Sequence, residues 1–379
     1  MTKMLFIANN NMGEGQSGGD TIFLNFAKYW PNISIFGSQE TKNLMKRYKL
    51  KNPFFKSANA INHTNYFITE IIRSFIGWQK IDSLKSKYFD LIYAVSDFYP
   101  DLLPAIKYKI QHPHSKLICA YYLVAPFPTD KNSPYIKTKQ YLKGFIYWLS
   151  QRLSLFLVNK YADIVFVTSD PDKKYFPNKK VIVIQGGVDI PPKIKSKKIY
   201  DAVFIGRLHP QKGVLGLIDI WKYVVKKKPK AKLALIGNGA LENQIKLKIR
   251  NYKLENNITM FGFKTGHEKY NIFSQSKIVL HPAIFDSGGM AACEAMSMGL
   301  PGVAYNLEAL KTYYPKGMLK TKCFSQSQFA NNIHKLLDNS KLYKKYSYEA
   351  LQLVKEVWLW PKRSKKILSL LLPSPTAAK

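Results

Sequence analysis

Short apolar runs alternate with amphipathic stretches along the whole sequence, and this alternation limits the fold more than any other feature. The runs "MLFIAN", "ISIF", "LIYAV", "KLICAYYL", "DIVFVT" and "VIVIQ" occupy the first half, and "DAVFIG", "AKLALIG", "NITMFG", "SKIVLHP" and "GVAYN" the second. Each has the length of a strand, and the segments between them carry apolar residues at helical spacing. That is the rhythm of open parallel sheets covered by helices on both faces. A chain of 379 residues, 46% hydrophobic, can bury the cores of two such domains. Paired prolines and a lysine run in "DIPPKIKSKKIYD" read as the joint between them. The expectation is an α/β chain with one doubly wound domain over residues 1–188, a linker over 189–199 and a second domain over 200–358. A terminal helix over 360–372 then has its own apolar stripe to pack back on the first domain.

One segment departs from this rhythm by its greasiness. Residues 141–160 place Leu142, Phe145, Ile146, Leu149, Leu153, Phe156 and Leu157 on one helical stripe, with Lys143, Ser150, Gln151 and Ser154 off it. The stretch carries Arg152 and its apolar run is shorter than a bilayer requires, so the expectation is a helix facing the core. The sequence opens without a basic-then-apolar leader, and its three cysteines, Cys119, Cys293 and Cys323, are too scattered for a disulfide framework or a zinc site. These features give a cytoplasmic reading with reduced thiols and no metal centre.

Charge narrows the partners. With 58 Lys and Arg against 24 Asp and Glu, the net charge of +34 favours anionic ligands, and it is spread over both halves. Residues 41–69 concentrate it: Lys42, Lys46, Arg47, Lys49, Lys51 and Lys56 interleave with Leu44, Met45, Tyr48, Phe54 and Phe55, with no acid among them. Basic and aromatic residues together suit an anionic membrane surface, a nucleic-acid groove or a mobile loop. The membrane surface is preferred, which makes the chain peripheral at the inner face of a membrane, and no nucleic-acid partner is expected.

The first helix is preceded by Gly13-x-Gly15-x-x-Gly18, the spacing of a dinucleotide fingerprint, and Glu40 stands where that fingerprint needs an acid for the ribose. Asn9 to Met12, however, separate the strand from its first glycine, and the fingerprint needs that glycine at the strand tip. A nicotinamide dehydrogenase is therefore a distant reading. Better chemistry lies in the second half. In "FIGRLHPQKG" a strand ends at Gly206, and Arg207 and Lys212 follow on the loop to a helix, two cations placed where open α/β sheets bind ligands. In "HPAIFDSGGMAACEAMSMGLPGVA", Asp286 and Glu294 flank Gly288 and Gly289. A helix starting near Gly289 would aim free N–H groups at an anion. Glu294, inside an apolar helix, needs a partner such as a ribose diol.

With these runs, "LALIGNG", "ITMFGF", the hinge "VIVIQGGVD" and, more weakly, "SGGDTIFLNFAKYW" and "YADIVFVTSD", the sequence resembles the retaining glycosyltransferases of family 4. The resemblance implies the GT-B fold, two facing Rossmann-like domains with a cleft between them, the first on the acceptor side and the second binding a nucleotide sugar. It implies that Arg207 and Lys212 hold the donor diphosphate and that Glu294 binds the ribose. Asp286, standing where the family usually has Glu, would bind hydroxyls of the transferred sugar. Gly206, Phe263, Ser287, Gly288 and Gly289 would line the donor, and Gly18 and Gly19 would approach it from the other domain. Where the family often has a sugar-contacting His, this chain offers Tyr121 or Tyr122. Asp20 is a candidate for the acceptor's proton or, alternatively, an N-cap. The implied activity is metal-independent transfer from a nucleotide-diphosphate sugar, with no cofactor, to a glycan or lipid-linked acceptor of the cell envelope. The alternatives are a nucleotide-sugar epimerase or hydrolase of the same fold, or a non-catalytic basic module for anionic polymers.

Overall fold

The computed structural model describes residues 2–11, 17–59, 66–130, 133, 135–136, 140–286 and 290–372. The chain divides into two units, Met1–Ala125 with Leu142–Gly186 and Pro361–Lys379, and Pro126–Tyr141 with Gly187–Trp360.

The first unit runs β1 (Met4–Ala8), α1 (Gly18–Tyr29), β2 (Ile33–Ser38), α2 (Gln39–Arg47), β3 (Phe54–Ala58), α3 (Tyr66–Lys80), β4 (Leu91–Ala94), α4 (Tyr99–Gln111), β5 (Lys116–Ala120), α5 (Tyr141–Tyr161), β6 (Ile164–Val167) and β7 (Lys180–Val183). The sheet is parallel, in the order β3-β2-β1-β4-β5-β6-β7, so the winding reverses between β1 and β4. Every residue of β1, β4 and β6 is buried. Helices cover both faces of such strands, which is why they read as unbroken apolar runs. Leu5 and Ile7 enter a core with Ile92, Leu102, Tyr108 and Val165. On the other face Phe6, Phe26, Trp30, Tyr93 and Phe166 form an aromatic cluster with ring centroids 4.2 to 6.3 Å apart.

The second unit runs β8 (Tyr200–Ile205), α6 (Val214–Lys227), β9 (Leu233–Ile236), α7 (Glu242–Asn251), β10 (Ile258–Met260), α8 (Gly266–Ser274), β11 (Ser276–His281), α9 (Met290–Met296), β12 (Gly302–Tyr305), α10 (Glu308–Tyr313), β13 (Met318–Thr321), α11 (Gln326–Asp338) and α12 (Ser340–Leu353). Its parallel sheet has the order β10-β9-β8-β11-β12-β13, with the reversal between β8 and β11. Alternate residues of β8 feed opposite cores: Ala202 and Phe204 pack with Trp221 and Ile218, and Val203 with Val279 and Met296.

The last helix, α13 (Trp360–Leu371), belongs with the first unit from Pro361 onward. Trp30 donates its indole N–H to Ser364 O at 2.9 Å, Arg363 Nε–H donates to Gln185 O at 3.1 Å, and Ile367 and Leu371 are buried.

One sequence expectation needs correction. The apolar stripe of α5 faces outward: Leu142, Phe145, Ile146, Leu149, Leu153 and Phe156 are exposed and Leu157 is only partly covered, while Gly144, Gln151, Ser154 and Val158 are buried. The cause is a network around Gln151. Its Nε2 donates to Asp97 Oδ2 at 3.0 Å and to Leu123 O at 2.6 Å, its Oε1 accepts from Ala125 N at 2.5 Å, and its backbone O accepts from Tyr121 OH at 3.0 Å. Buried polar groups in such a network lose these partners if the helix rotates. Residues 41–69, in turn, are ordinary α/β elements over their described part. Leu44 and Met45 are buried under α2, Phe54 and Phe55 are half-buried in β3, and Lys46, Arg47, Lys49, Lys51 and Lys56 are exposed. Over α2 and β3 that stretch presents lysines to solvent and turns Leu44 and Met45 in, whereas Phe67 and Ile68 at the start of α3 are exposed.

Candidate active site

The second unit's winding reverses between β8 and β11, and ligands of open α/β sheets bind outside the carboxyl ends of strands at such a point. The loops after these two strands are pressed together there. Gly213, which follows a short turn over Pro210–Lys212, has φ +66°, and a Cβ on it would stand 1.9 Å from Pro282 O. Only glycine fits that contact. Ile284 N–H donates to Gln211 O at 3.0 Å and fixes the register of the two loops. On the other side of β8, Leu208 N–H donates to Asn238 O at 2.8 Å, and Gly237, at φ +139°, lies so close to Gly206 O that a Cβ would stand 1.9 Å from it.

This packing brings together Lys212 and Asp286, residues 74 apart in sequence. Lys212 Nζ donates to Asp286 Oδ2 at 2.6 Å, with the Asp286 side chain 8% exposed and that of Lys212 21%. His281, the last residue of β11, places Nε2 3.3 Å from the same oxygen, off the line of a hydrogen bond. Burial alone would push the Asp286 carboxyl up, but the Lys212 ammonium outweighs it and holds it well below the usual carboxylate range. Burial lowers His281, against the opposing pull of the Asp286 carboxylate. Lys320 on β13, whose ammonium burial pushes down to about 8, adds a further cation beside His281. Gly206 follows β8, with the Lys212 stem 3.9 Å from where a Cβ on it would stand, and Arg207 beside it is exposed.

Glu294 lies on α9 and is paired with Lys269 of α8 at 2.8 Å, with the Glu294 side chain 30% exposed. Its apolar helix faces the core through Ala292, Cys293, Ala295 and Met296, so the carboxylate has its partner at the edge of that core. Phe263 follows β10 and is exposed. Ser287, Gly288 and Gly289 lie outside the described residues. His281, Lys269 and Lys320 escaped the sequence reading, although His281 closes the run "SKIVLHP" four residues before Phe285 and so stands at a strand's carboxyl end. Among the described residues no three or more His, Cys, Asp or Glu side chains are grouped to hold a metal ion.

In the first unit, Gly18 and Gly19 open α1 at the winding reversal between β1 and β4. Ser17, not Asp20, is the N-cap. Asp20 is the third helical residue and closes a capping box, with its Oδ2 accepting from Ser17 N at 2.8 Å and its N–H donating to Ser17 Oγ at 3.1 Å. Burial raises its carboxyl above the ordinary value. Of the two tyrosines, Tyr121 is in the core, whereas the Tyr122 ring abuts Gly19, 3.2 Å from where a Cβ there would stand, and its hydroxyl bonds that of Tyr93. Glu40 is committed elsewhere: it is buried in a 2.5 Å ion pair with Arg73, itself 1% exposed. No dinucleotide ribose has access to it.

Two parallel sheets of this kind, each with its own reversal point, are the architecture of the GT-B fold. The Anabaena protein HepE, crystallised with UDP and glucose, has this fold: it matches 98% of this chain over 99% of its own length with a TM-score of 0.72 at 18% identity. Residues 189–353, somewhat less than half of the chain, match the family Glycosyl transferases group 1. An uncharacterized glycosyltransferase of Methanocaldococcus jannaschii is 27% identical over 359 residues, 89% of this chain and 86% of that protein. The poly(glycerol-phosphate) alpha-glucosyltransferase of Bacillus subtilis is 26% identical over 161 residues, 41% of this chain and 24% of that protein, so the match spans a minor part of that relative.

Proposed function

We propose that the chain transfers a sugar from a nucleotide-diphosphate donor to an acceptor hydroxyl with retention of anomeric configuration, and that it does so without a metal ion or other cofactor. The observation that carries this reading is the Lys212–Asp286 pair at the reversal point between β8 and β11, with Arg207 exposed beside it. When the sugar–phosphate bond breaks, negative charge grows on the diphosphate. Fixed cations in a partly dry site stabilise that charge more in the transition state than in the ground state. Arg207 and Lys212 are assigned this role, Asp286 the hydroxyls of the transferred sugar, and Glu294 the ribose. Gly206 leaves room for the diphosphate, and Phe263 borders the nucleotide. Asp20 is assigned to its helix rather than to the acceptor's proton.

The acceptor is proposed to be a lipid-linked or cell-envelope glycan handled at the inner face of a membrane. The basic surface suits a polyanionic or membrane-borne acceptor, and the Bacillus relative is named for poly(glycerol phosphate). A thermal-shift screen with UDP-, GDP- and ADP-sugars tests donor binding, because a ligand of the folded state raises its stability by mass action. With the donor so identified, Arg207→Ala and Lys212→Ala are each expected to lower kcat about 10²-fold, and chelator to change little. Full activity in Lys212→Ala, or strict dependence on Mg²⁺ or Mn²⁺, refutes the mechanism.

A further inference from the structure

Two neighbouring helices of the first unit turn large apolar side chains to solvent. On α3, Ile71 and Phe75 are 69% and 62% exposed, and on α5, Leu142 and Phe156 are 74% and 64% exposed. Between the helices lies a groove of about 470 Å³, walled by Phe67, Ile71, Phe75 and Trp78 of α3 and Ile146 of α5, with Leu103 of α4 beneath. The face belongs to none of the site groups described above, and it is larger than the scattered apolar residues a soluble surface normally carries.

The charges around it point to an occupant. From residue 141 to residue 162, which spans α5, the sequence holds no Asp or Glu and carries Lys143, Arg152 and Lys160. The Arg152 guanidinium lies 5.2 Å from the Trp148 ring centroid and Lys107 Nζ lies 5.1 Å from that of Trp78, so cations and indoles meet at the margins of the apolar face. Glu70 in the groove is buried, and Asp82 near its end is paired with Lys107 at 2.6 Å. The apolar positions of α5 recur every three or four residues along its 21-residue length. That makes a long stripe, suited to a plane more than to a pocket, and no described helix is long and apolar enough to cross a membrane. Apolar side chains entering the acyl boundary, aromatic rings at the headgroups and basic residues against anionic lipid are the three parts of interfacial binding.

We propose that the α3–α5 face docks the protein on anionic lipid bilayers. The proposal rests on the reading of a membrane-borne acceptor given above, but it places docking on this face and not on the basic run of residues 42–56. The test uses the full chain in flotation with vesicles of phosphatidylcholine alone and of phosphatidylcholine with phosphatidylglycerol at 3:1. Binding to the anionic vesicles is expected, weakened by salt through screening. Ile71→Ser with Phe75→Ser, and separately Leu149→Ser with Leu153→Ser and Phe156→Ser, are each expected to lower partitioning at least tenfold. Lys143→Glu with Lys160→Glu is expected to remove the preference for anionic lipid, whereas reversing Lys46, Arg47 and Lys49 to Glu leaves binding within twofold. These positions are exposed, and a melting curve on each variant confirms the fold.

Failure of the unaltered protein to bind anionic vesicles at low salt overturns the proposal, and so does equal binding by the serine variants. Concentration-dependent dimerisation abolished by the same serine substitutions, without vesicle binding, assigns the face to a second copy and also overturns it. Calorimetry with nucleoside diphosphate separates the two readings. Vesicle binding without nucleotide binding sinks the transferase reading, and nucleotide binding without vesicle binding sinks only the docking face.

Discussion

Replacing Asp286 by Asn tests whether the carboxylate on Lys212 is a sugar contact, a brake on the phosphate cation, or both. The substitution keeps the shape and removes one charge from a pair with N···O of 2.6 Å. A charge-assisted hydrogen bond of this kind is worth roughly 1.5–3 kcal/mol. A fifth of the Lys212 side chain reaches solvent, at 21% exposure, so the lower part of that range applies to what the cation loses. Freed of its partner, Lys212 meets a diphosphate better by up to about 1.5 kcal/mol, roughly tenfold in affinity. The intact donor gains the same term but loses the sugar's charged acceptor, a cost of roughly 1.5–3 kcal/mol. Asp286→Asn is therefore expected to bind nucleoside diphosphate as well as or more tightly than the parent, with the ratio of donor to diphosphate affinity falling by roughly 10- to 100-fold. Calorimetry with both ligands on parent and variant reads this directly. Equal weakening of donor and diphosphate refutes the assignment, because a residue that holds only the sugar cannot affect a ligand that lacks it.

Three further outcomes follow from the packing. Gly213→Ala sets a Cβ 1.9 Å from Pro282 O at φ +66°, so it is expected to cost at least about 2 kcal/mol in urea titration, and a smaller loss means the two loops are not pressed together as described. Gln151→Ala leaves Asp97 Oδ2 and the Ala125 N–H without their partner and is expected to cost about 2–4 kcal/mol, whereas a neutral result means that α5 does not turn this residue inward. Burial pushes Glu70 and Asp101 up to about 7 and Asp97 up to about 6. Raised folded-state values mean the contribution is complete below about pH 4 and is lost as pH rises through 6 to 7, so stability from urea titration is expected to be higher at pH 5 than at pH 8, by about 1–3 kcal/mol for one such carboxyl. Midpoints that rise from pH 5 to pH 8 contradict the burial of these acids.

The strands were legible where the sheet buries them on both faces, because nothing interrupts their apolar runs. β3 and β13 were not. Both are edge strands, half-covered, with Lys56 and Lys320 inside the strand, where a lysine blunts the free backbone but breaks the apolar run, whereas in the edge strand β7 Lys180 comes first and leaves the run intact. In the candidate site, the individual residues Arg207, Lys212, Asp286 and Glu294 stood out through motif and strand-end position. Their partners did not. The Lys212–Asp286 pair depends on two loops 74 residues apart being driven together at Gly213 and Pro282, and Lys269 reaches Glu294 from a helix 25 residues earlier. Local sequence carries propensity, whereas such pairings exist only once the sheet order is set.

α5 shows a different limit. Periodicity groups Leu142, Phe145, Ile146, Leu149, Leu153 and Phe156 on one face but does not say which way that face turns. Hydrophobicity alone votes for inward, and here it loses to hydrogen bonding. A sequence signal for the outcome does exist, in the kind of polarity on each side. Gly144, Gln151, Ser154 and Val158 are small or uncharged and can satisfy buried donors and acceptors, while Arg152 and Lys160 share the apolar face and Lys143 borders it. A helix meant for water on its polar side puts its charges there. When the charges lie instead among the apolar residues and the opposite stripe carries only groups that a core can accommodate, burying the apolar face would bury Arg152 and Lys160 with no acid on the helix to pair them, at a cost of several kcal/mol for each charge. Burying the Gln151 stripe costs only side-chain amide and hydroxyl groups, all of which find partners. The placement of charge therefore decides the orientation, and it leaves the apolar and basic groups together on the outside.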